Sequence, residues 1–219
     1  MKFKLAYVDE QETSISNFYS HFSNDYDLLI IHVNEGSSID SIVDECFNNE
    51  VNAIITDYKL EEEGNVDFNG DALFNAIKSK HPHFPVIMLT SWEPEAIDHM
   101  ENVHLIYSKD ILDGESADEF NIFNSKITHN IKSYFKKIEE TNEKISFYVD
   151  ERSKRKLEIY EEEELTKLYI LYDELHPEGK EIPTNLIQRE SITQLNEFLN
   201  EAKGILNELR NINENKNDL

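Results

Sequence analysis

The chain has 219 residues, 39% hydrophobic and 30% charged, with 45 Asp and Glu against 21 Lys and Arg for a formal net charge of −24. That length holds one large domain, or a domain of ~110–130 residues with an appendage, and the supply of Ile, Leu, Phe and Tyr excludes a globally disordered chain. Residues 1–112 carry a net charge of −15 and residues 113–219 a net −9, so neither half has the basic surface that nucleic acid or an anionic membrane would require.

A single cysteine, Cys46, allows no intrachain disulfide. Met1 to Val8 alternates rather than forming an apolar run, which predicts no signal peptide, and no run of 18 apolar residues predicts a membrane helix. Low Gly and Pro with abundant Lys, Glu, Asn and Ile fit a bacterial cytoplasmic protein.

Short apolar runs alternate with amphipathic stretches over the first ~110 residues, the pattern of a parallel α/β sheet. Phe3–Val8 reads as the first strand. A helix follows over about Glu12–Asn24, with Ile15, Phe18, Tyr19 and Phe22 on one face. Tyr26–Val33 is a buried strand, Ser38–Asn48 a helix, and Val51–Thr56 a third strand that stops at Asp57. A long acidic loop runs from Tyr58 to Asn69 and carries Glu61, Glu62 and Glu63. Asp71–Lys80 is a helix, Pro85–Leu89 a strand, Glu93–Met100 a short helix and Val103–Tyr107 a fifth strand. Five parallel strands with intervening helices make a doubly wound, flavodoxin-like domain over residues 1–112.

From residue 113 the pattern becomes helical. Apolar residues at steps of three and four predict long helices over about 117–145, 152–175 and 187–212, with His176-Pro177-Glu178-Gly179 as a breaker. The brief Ile145, Phe147, Tyr148, Val149 run is the one β-rich stretch. This all-helical region of 113–219 is expected to act as an output or interaction segment. Its aromatic stripes suit the first domain, a second copy of the chain or a downstream protein.

Doubly wound sheets bind ligands at the carboxyl ends of their strands. Asp9 and Glu10 follow strand one, Asp57 ends strand three, Thr90 and Ser91 end strand four, and Lys109 lies just past strand five. Three carboxylates brought together repel one another, and a hard divalent cation such as Mg²⁺ relieves that repulsion. With the cation screening it, Asp57 can attack a phosphoryl donor. Lys109 then supplies positive charge, and Thr90 a hydroxyl, to the oxygens of the transferred group. Positioning and charge stabilisation are what phosphoryl transfer requires.

The segments Val8-Asp9-Glu10, Ile54-Ile55-Thr56-Asp57-Tyr58, Val86-Ile87-Met88-Leu89-Thr90-Ser91 and Ser108-Lys109 resemble, in order and spacing, the signature of response-regulator receiver domains. Gly70-Asp71-Ala72-Leu73 is similar to the family's start of helix three. The resemblance covers residues 1–112, about half the chain. It implies Asp57 as phosphoacceptor, Asp9 and Glu10 as the Mg²⁺-binding acidic pair, and a further metal contact from the backbone carbonyl of Lys59. It also implies Thr90 as the switch hydroxyl and Lys109 as the phosphoryl-contacting lysine, with a histidine kinase or phosphotransfer protein as donor. The sequence departs from the pattern in four places. The acidic pair is Asp-Glu rather than Asp-Asp, and the loop after Asp57 is long. Asp110 follows the lysine where proline is usual, which predicts either a trans bond or a strained one. Ile106 stands three before the lysine, with the aromatic Tyr107 one place late.

Two other readings accompany the phosphorylated switch: a phosphate sink or relay intermediate without its own output, and a pseudo-receiver scaffold that takes no phosphoryl group. At most, self-phosphorylation and autodephosphorylation are expected as catalysis. His129 and Lys132 are read as a solvated helical pair, His81-Pro82-His83 as a helix-ending loop, and Cys46 as a small core residue. The blocks Arg152–Lys156 and Glu161–Glu164 are read as a solvated helix face.

Overall fold

The computed structural model describes residues 2–62, 65–100, 102–112 and 117–176. The expected third helix over 187–212, most of the breaker and Glu63 lie outside the described residues. The chain separates into two compact units. One holds the chain up to Thr141 with residues 174–176, and the other holds Asn142–Asp173 among the described residues.

The first unit is built on a five-stranded, all-parallel sheet in the order β2-β1-β3-β4-β5. Its strands are β1 (Lys4–Asp9), β2 (Asp27–His32), β3 (Ala53–Thr56), β4 (Val86–Thr90) and β5 (Ile106–Ser108). This is the flavodoxin-like doubly wound order. The three inner strands are buried nearly throughout while β2 and β5, at the edges, are only partly so. Burial on both faces fits the continuous apolar runs of β3 and β4.

Helices α1 (Glu12–Phe22), α2 (Ile39–Asn48), α3 (Gly70–Lys80) and α4 (Glu93–His99) connect the strands. On one face, Leu5, Tyr7, Ala53, Ile55, Ile87 and Leu89 of the sheet bury against Phe18 and Phe22 of α1. Phe123, Ile127 and Ile131 of α5 (Ala117–Lys154) complete this cluster. The first part of α5 is therefore packed on the sheet, and a division at residue 112 marks a change of sequence character within that core. Ile42, Val43 and Cys46 of α2 and Leu73, Phe74 and Ile77 of α3 are buried as well. Burial pushes the Cys46 thiol up to about 12, as befits a core residue. Ser38 starts α2 with a reciprocal capping box: its hydroxyl accepts from the Ser41 N–H at 3.1 Å and its own N–H donates to Ser41 Oγ at 2.9 Å.

Several local expectations are corrected. Tyr19, placed by its spacing on the apolar face of α1, is 56% exposed. The fifth strand begins at Ile106 because Val103–Leu105 form a 3₁₀ turn, in which the Asn102 side chain accepts from the His104 N–H at 3.2 Å. The β-rich run of Ile145 to Val149 lies inside α5, which continues to Lys154. Its apolar side chains also fit helical spacing, and tertiary packing overrides β propensity. The next helix, α6, spans Ile159–Leu175 and so starts later than the expected 152. In the second unit, Ile145, Leu157, Leu165, Leu168 and Tyr172 form a small apolar core. The charge blocks meet each other there: Arg155 makes two hydrogen bonds of 2.7 Å to Glu161, and Glu161 also accepts from the Glu158 N–H at 2.8 Å. The bidentate pairing holds the Glu161 carboxyl down at about 2.

Gly70 opens α3 against the start of the loop that follows β3. A Cβ there would lie 1.8 Å from the Asp57 carbonyl oxygen and 2.9 Å from its carbon, while the Gly70 N–H donates to the Tyr58 carbonyl at 2.7 Å. Gly70→Ala is therefore expected to force the loop after Asp57 away from the helix. The cost should be of the order of 1–3 kcal/mol, the scale of overpacking a tight site. A denaturant melt of the variant that overlays on the native curve would show that no such contact exists.

Candidate functional site

The carboxyl edge of the sheet brings the sequence-selected residues into one place. Asp9 ends β1, Thr90 ends β4, and Glu10 and Asp57 are the first residues beyond β1 and β3. Lys109 starts a 3₁₀ turn directly after β5. Backbone bonds hold the strand tips in register: the Asp57 N–H donates to the Val8 carbonyl and the Val33 N–H to the Asp9 carbonyl, both at 2.9 Å.

The Lys109 ammonium donates to Asp9 Oδ2 and to Asp57 Oδ2, each at 2.8 Å, and to Ser14 Oγ at 3.3 Å. Asp57 Oδ1 accepts from the Tyr58 N–H at 2.7 Å, and Asp9 Oδ1 from the Gln11 N–H at 2.9 Å. Thr90 Oγ1 accepts from the Trp92 N–H at 3.0 Å. The Thr90 hydroxyl also has a small lowering influence on the Asp57 carboxyl. Asp9, Glu10, Asp57 and Thr90 are all buried.

Ligand atoms of Asp9, Glu10 and Asp57 lie within 4.8 Å of one another. At an effective dielectric of 20, each pair of charges at that distance repels by about 3.5 kcal/mol, and one ammonium cannot neutralise three carboxylates. Burial is the largest influence on each of these groups, and the neighbouring charges modify it. Burial, more than any other influence, raises Asp57, with Lys109 opposing. Burial pulls Lys109 down, but Asp9 and Asp57 outweigh it and the net shift is upward. Burial, helped by Asp9 and Asp57, raises Glu10 from 4.5 to about 7. Glu10 is 1% exposed, and neither of its carboxylate oxygens has a hydrogen-bond partner among the described residues. Buried acceptors without donors beside two further carboxylates are the donor set of a hard divalent cation, so these residues fit Mg²⁺.

The Lys59 ammonium sits 5.5 Å from the centre of the Tyr58 ring and 5.4 Å from that of Trp92. The acidic loop is partly tied down, for Gln11 Nε2 donates to Glu62 at 3.1 Å and Asn69 Nδ2 to Glu61 at 2.9 Å. No cis peptide bond occurs among the described residues, so the Lys109–Asp110 bond is trans, with the Asp110 N–H on Ser108 Oγ at 3.2 Å. Tyr107 packs on Phe123 with ring centroids 4.9 Å apart and lies under the Lys126 ammonium at 4.9 Å. His129 is exposed, and no described contact links it to the site.

Sequence reasoning missed Tyr7, Ser14 and Gln11, and the steric need for Gly70. Tyr7 was within reach of pattern reading: it stands two before Asp9 on a strand, hence on the same face. The Gln11 N–H contact is a local Asx turn at Asp9, whereas the Ser14 contact depends on how α1 docks and carries no sequence signal.

No protein-family model and no curated protein matches the sequence. Solved structures do resemble the chain. The signal receiver domain of an HD domain-containing protein from Pseudomonas fluorescens Pf-5 is 17% identical, with 61% of this chain and 99% of that one covered and a TM-score of 0.48. A CheY-like response regulator receiver domain protein from Methanospirillum hungatei JF-1 is 14% identical (61% and 99% covered, TM-score 0.44). The chemotaxis response regulator CheY4 of Vibrio cholerae is 13% identical (58% and 99% covered, TM-score 0.43). The first part of the chain resembles receiver domains of response regulators. The fold itself rests on the strand order and not on these likenesses.

The upward shift of Glu10 has a defined consequence for stability. Its folded value lies above its unfolded one, so its contribution is fully present below about 4.5 and is lost as pH rises through about 7. Without divalent cations, the melting temperature should fall across that window, and Glu10→Gln should flatten the fall. Added Mg²⁺ should raise the melting temperature of the native chain above pH 7 but not that of Glu10→Gln. Parallel pH profiles for the two proteins, with equal responses to Mg²⁺, would contradict this account of the site.

Proposed function

We propose that this chain is a response regulator that accepts a phosphoryl group on Asp57 from the phosphohistidine of a histidine kinase or phosphotransfer protein. One observation carries the reading: a buried Asp57 whose Oδ2 is held at 2.8 Å by Lys109, beside Asp9 and a Glu10 without donors. In the transfer, Asp57 Oδ2 attacks phosphorus, the new P–O bond forms as the P–N bond breaks, and the imidazole, which carries a proton on its other ring nitrogen, leaves neutral. Lys109 turns its ammonium to the oxygens of the transferred group, and Thr90 directs its hydroxyl to another. Asp9, Glu10, Asp57 and the Lys59 backbone carbonyl would hold Mg²⁺, which supplies charge neutralisation between carboxylates and phosphoryl oxygens.

Signalling passes, in this proposal, through the helical region to a downstream protein or a second copy of the chain, rather than through DNA. The net charge of −24 argues against a nucleic-acid partner. In the second unit, Phe147, Ile159 and Tyr160 are 58%, 81% and 68% exposed, which suits a protein surface as partner. A phosphoryl-dependent change in mass by size exclusion with light scattering, or in partner binding, is the expected sign of such an output.

Incubation with phosphoramidate or acetyl phosphate and Mg²⁺ should add one phosphoryl group by intact mass. The gain should be lost in Asp57→Ala and without Mg²⁺, and strongly slowed in Lys109→Ala. If neither a small donor nor a phosphorylated histidine kinase labels the native chain, the phosphoacceptor reading fails and a scaffold role takes its place. Rapid loss of the acyl phosphate with no change in assembly or binding would instead favour a phosphate sink or relay.

A further inference from the structure

Tyr7 precedes Asp9 by two residues on β1, and the alternation of a strand puts both side chains on the same face of the sheet. The ring is completely buried and lies on Phe18, with centroids 3.9 Å apart and planes 3° from parallel. Phenylalanine would fill that space as well, and a buried hydroxyl is unfavourable unless it is hydrogen-bonded. The Tyr7 hydroxyl donates to Asp9 Oδ2 at 2.5 Å, the oxygen that also takes the Lys109 ammonium at 2.8 Å. Asp9 thus has donors on both oxygens, since Oδ1 accepts from the Gln11 N–H at 2.9 Å.

Lys109 is shared among Asp9, Asp57 and Ser14. The function proposed above, on which this inference rests, asks it to reorient toward the transferred group. A lysine leaving a buried carboxylate ordinarily strands an uncompensated charge. We infer that Tyr7 is a positioning residue that holds Asp9 in place and keeps its Oδ2 bonded, so that Lys109 is free to follow a phosphoryl oxygen on Asp57. The hydroxyl acts through Asp9 and Lys109 and touches no reacting atom. Without it, Lys109 is the one side-chain donor to Asp9 Oδ2 among the described residues, and Asp9 competes with the phosphoryl group for the ammonium.

The test uses the full chain as native protein, Tyr7→Phe, Lys109→Ala and the double variant. Phosphoryl uptake from phosphoramidate at saturating Mg²⁺ is followed by intact mass. Rates are normalised to the folded fraction given by circular dichroism at the assay temperature. Tyr7→Phe, which removes one oxygen and keeps the ring stack, should slow uptake by roughly 10-fold, the scale seen when a partner that orients a site ligand is removed. In the Lys109→Ala background the same change should cost nothing further, because its effect passes through the lysine. An unchanged rate in Tyr7→Phe, or an equal loss with and without Lys109, overturns the inference and leaves the phosphoacceptor reading standing. A native chain labelled by neither phosphoramidate nor a phosphohistidine donor overturns both.

Discussion

Lys109 is the tie on which the carboxyl edge of the sheet depends. Its ammonium lies 2.8 Å from carboxylates carried by two different strand ends, β1 and β3, and is itself delivered from a third, β5. Three carboxylates crowded into a buried space would otherwise separate or protonate, and one lysine relieves only part of that repulsion. Burial raises both Glu10 and Asp57, and for Glu10 the neighbouring Asp9 and Asp57 add to the rise. The edge is thus short of positive charge, the condition that suits a hard divalent cation.

The rest of the first unit serves to keep that crowded edge in place. Parallel pairing of β1 with β3 and of β3 with β4 aligns the tips, and the apolar cluster beneath them prevents the tips from spreading. Tyr7 joins the two levels, with its ring in the cluster and its hydroxyl on Asp9. Gly70 lets α3 approach the Asp57 carbonyl more closely than any side chain would permit. Core and site are therefore not separable, since the residues that exclude water from one also orient the other.

The helices beyond the sheet divide their work. The first part of α5 seals one face of the sheet through Phe123, Ile127 and Ile131. The second unit has a core of its own, closed at the turn into α6 by the Arg155–Glu161 pair. Phe147, Ile159, Tyr160 and Ile170 of that unit are exposed.

Much of this was legible from residues alone. Five apolar runs separated by amphipathic stretches determined a doubly wound sheet, because strand and helix periodicities are local properties. Asp9, Glu10, Asp57, Thr90 and Lys109 could be selected because the fold places strand ends together, so position along the chain implied position in space. Tertiary structure decided the remainder. That Lys109 bridges Asp9 and Asp57, that Glu10 is left without donors among the described residues and that Ser14 enters the site depend on side-chain directions set by packing between distant segments. The run from Ile145 to Val149 became helix for the same reason, whereas the Arg155–Glu161 pair closes locally, six residues apart, at the turn into α6. β propensity and charge blocks are preferences of a few tenths of a kcal/mol up to about 1 kcal/mol, and burial against a neighbouring helix outweighs them.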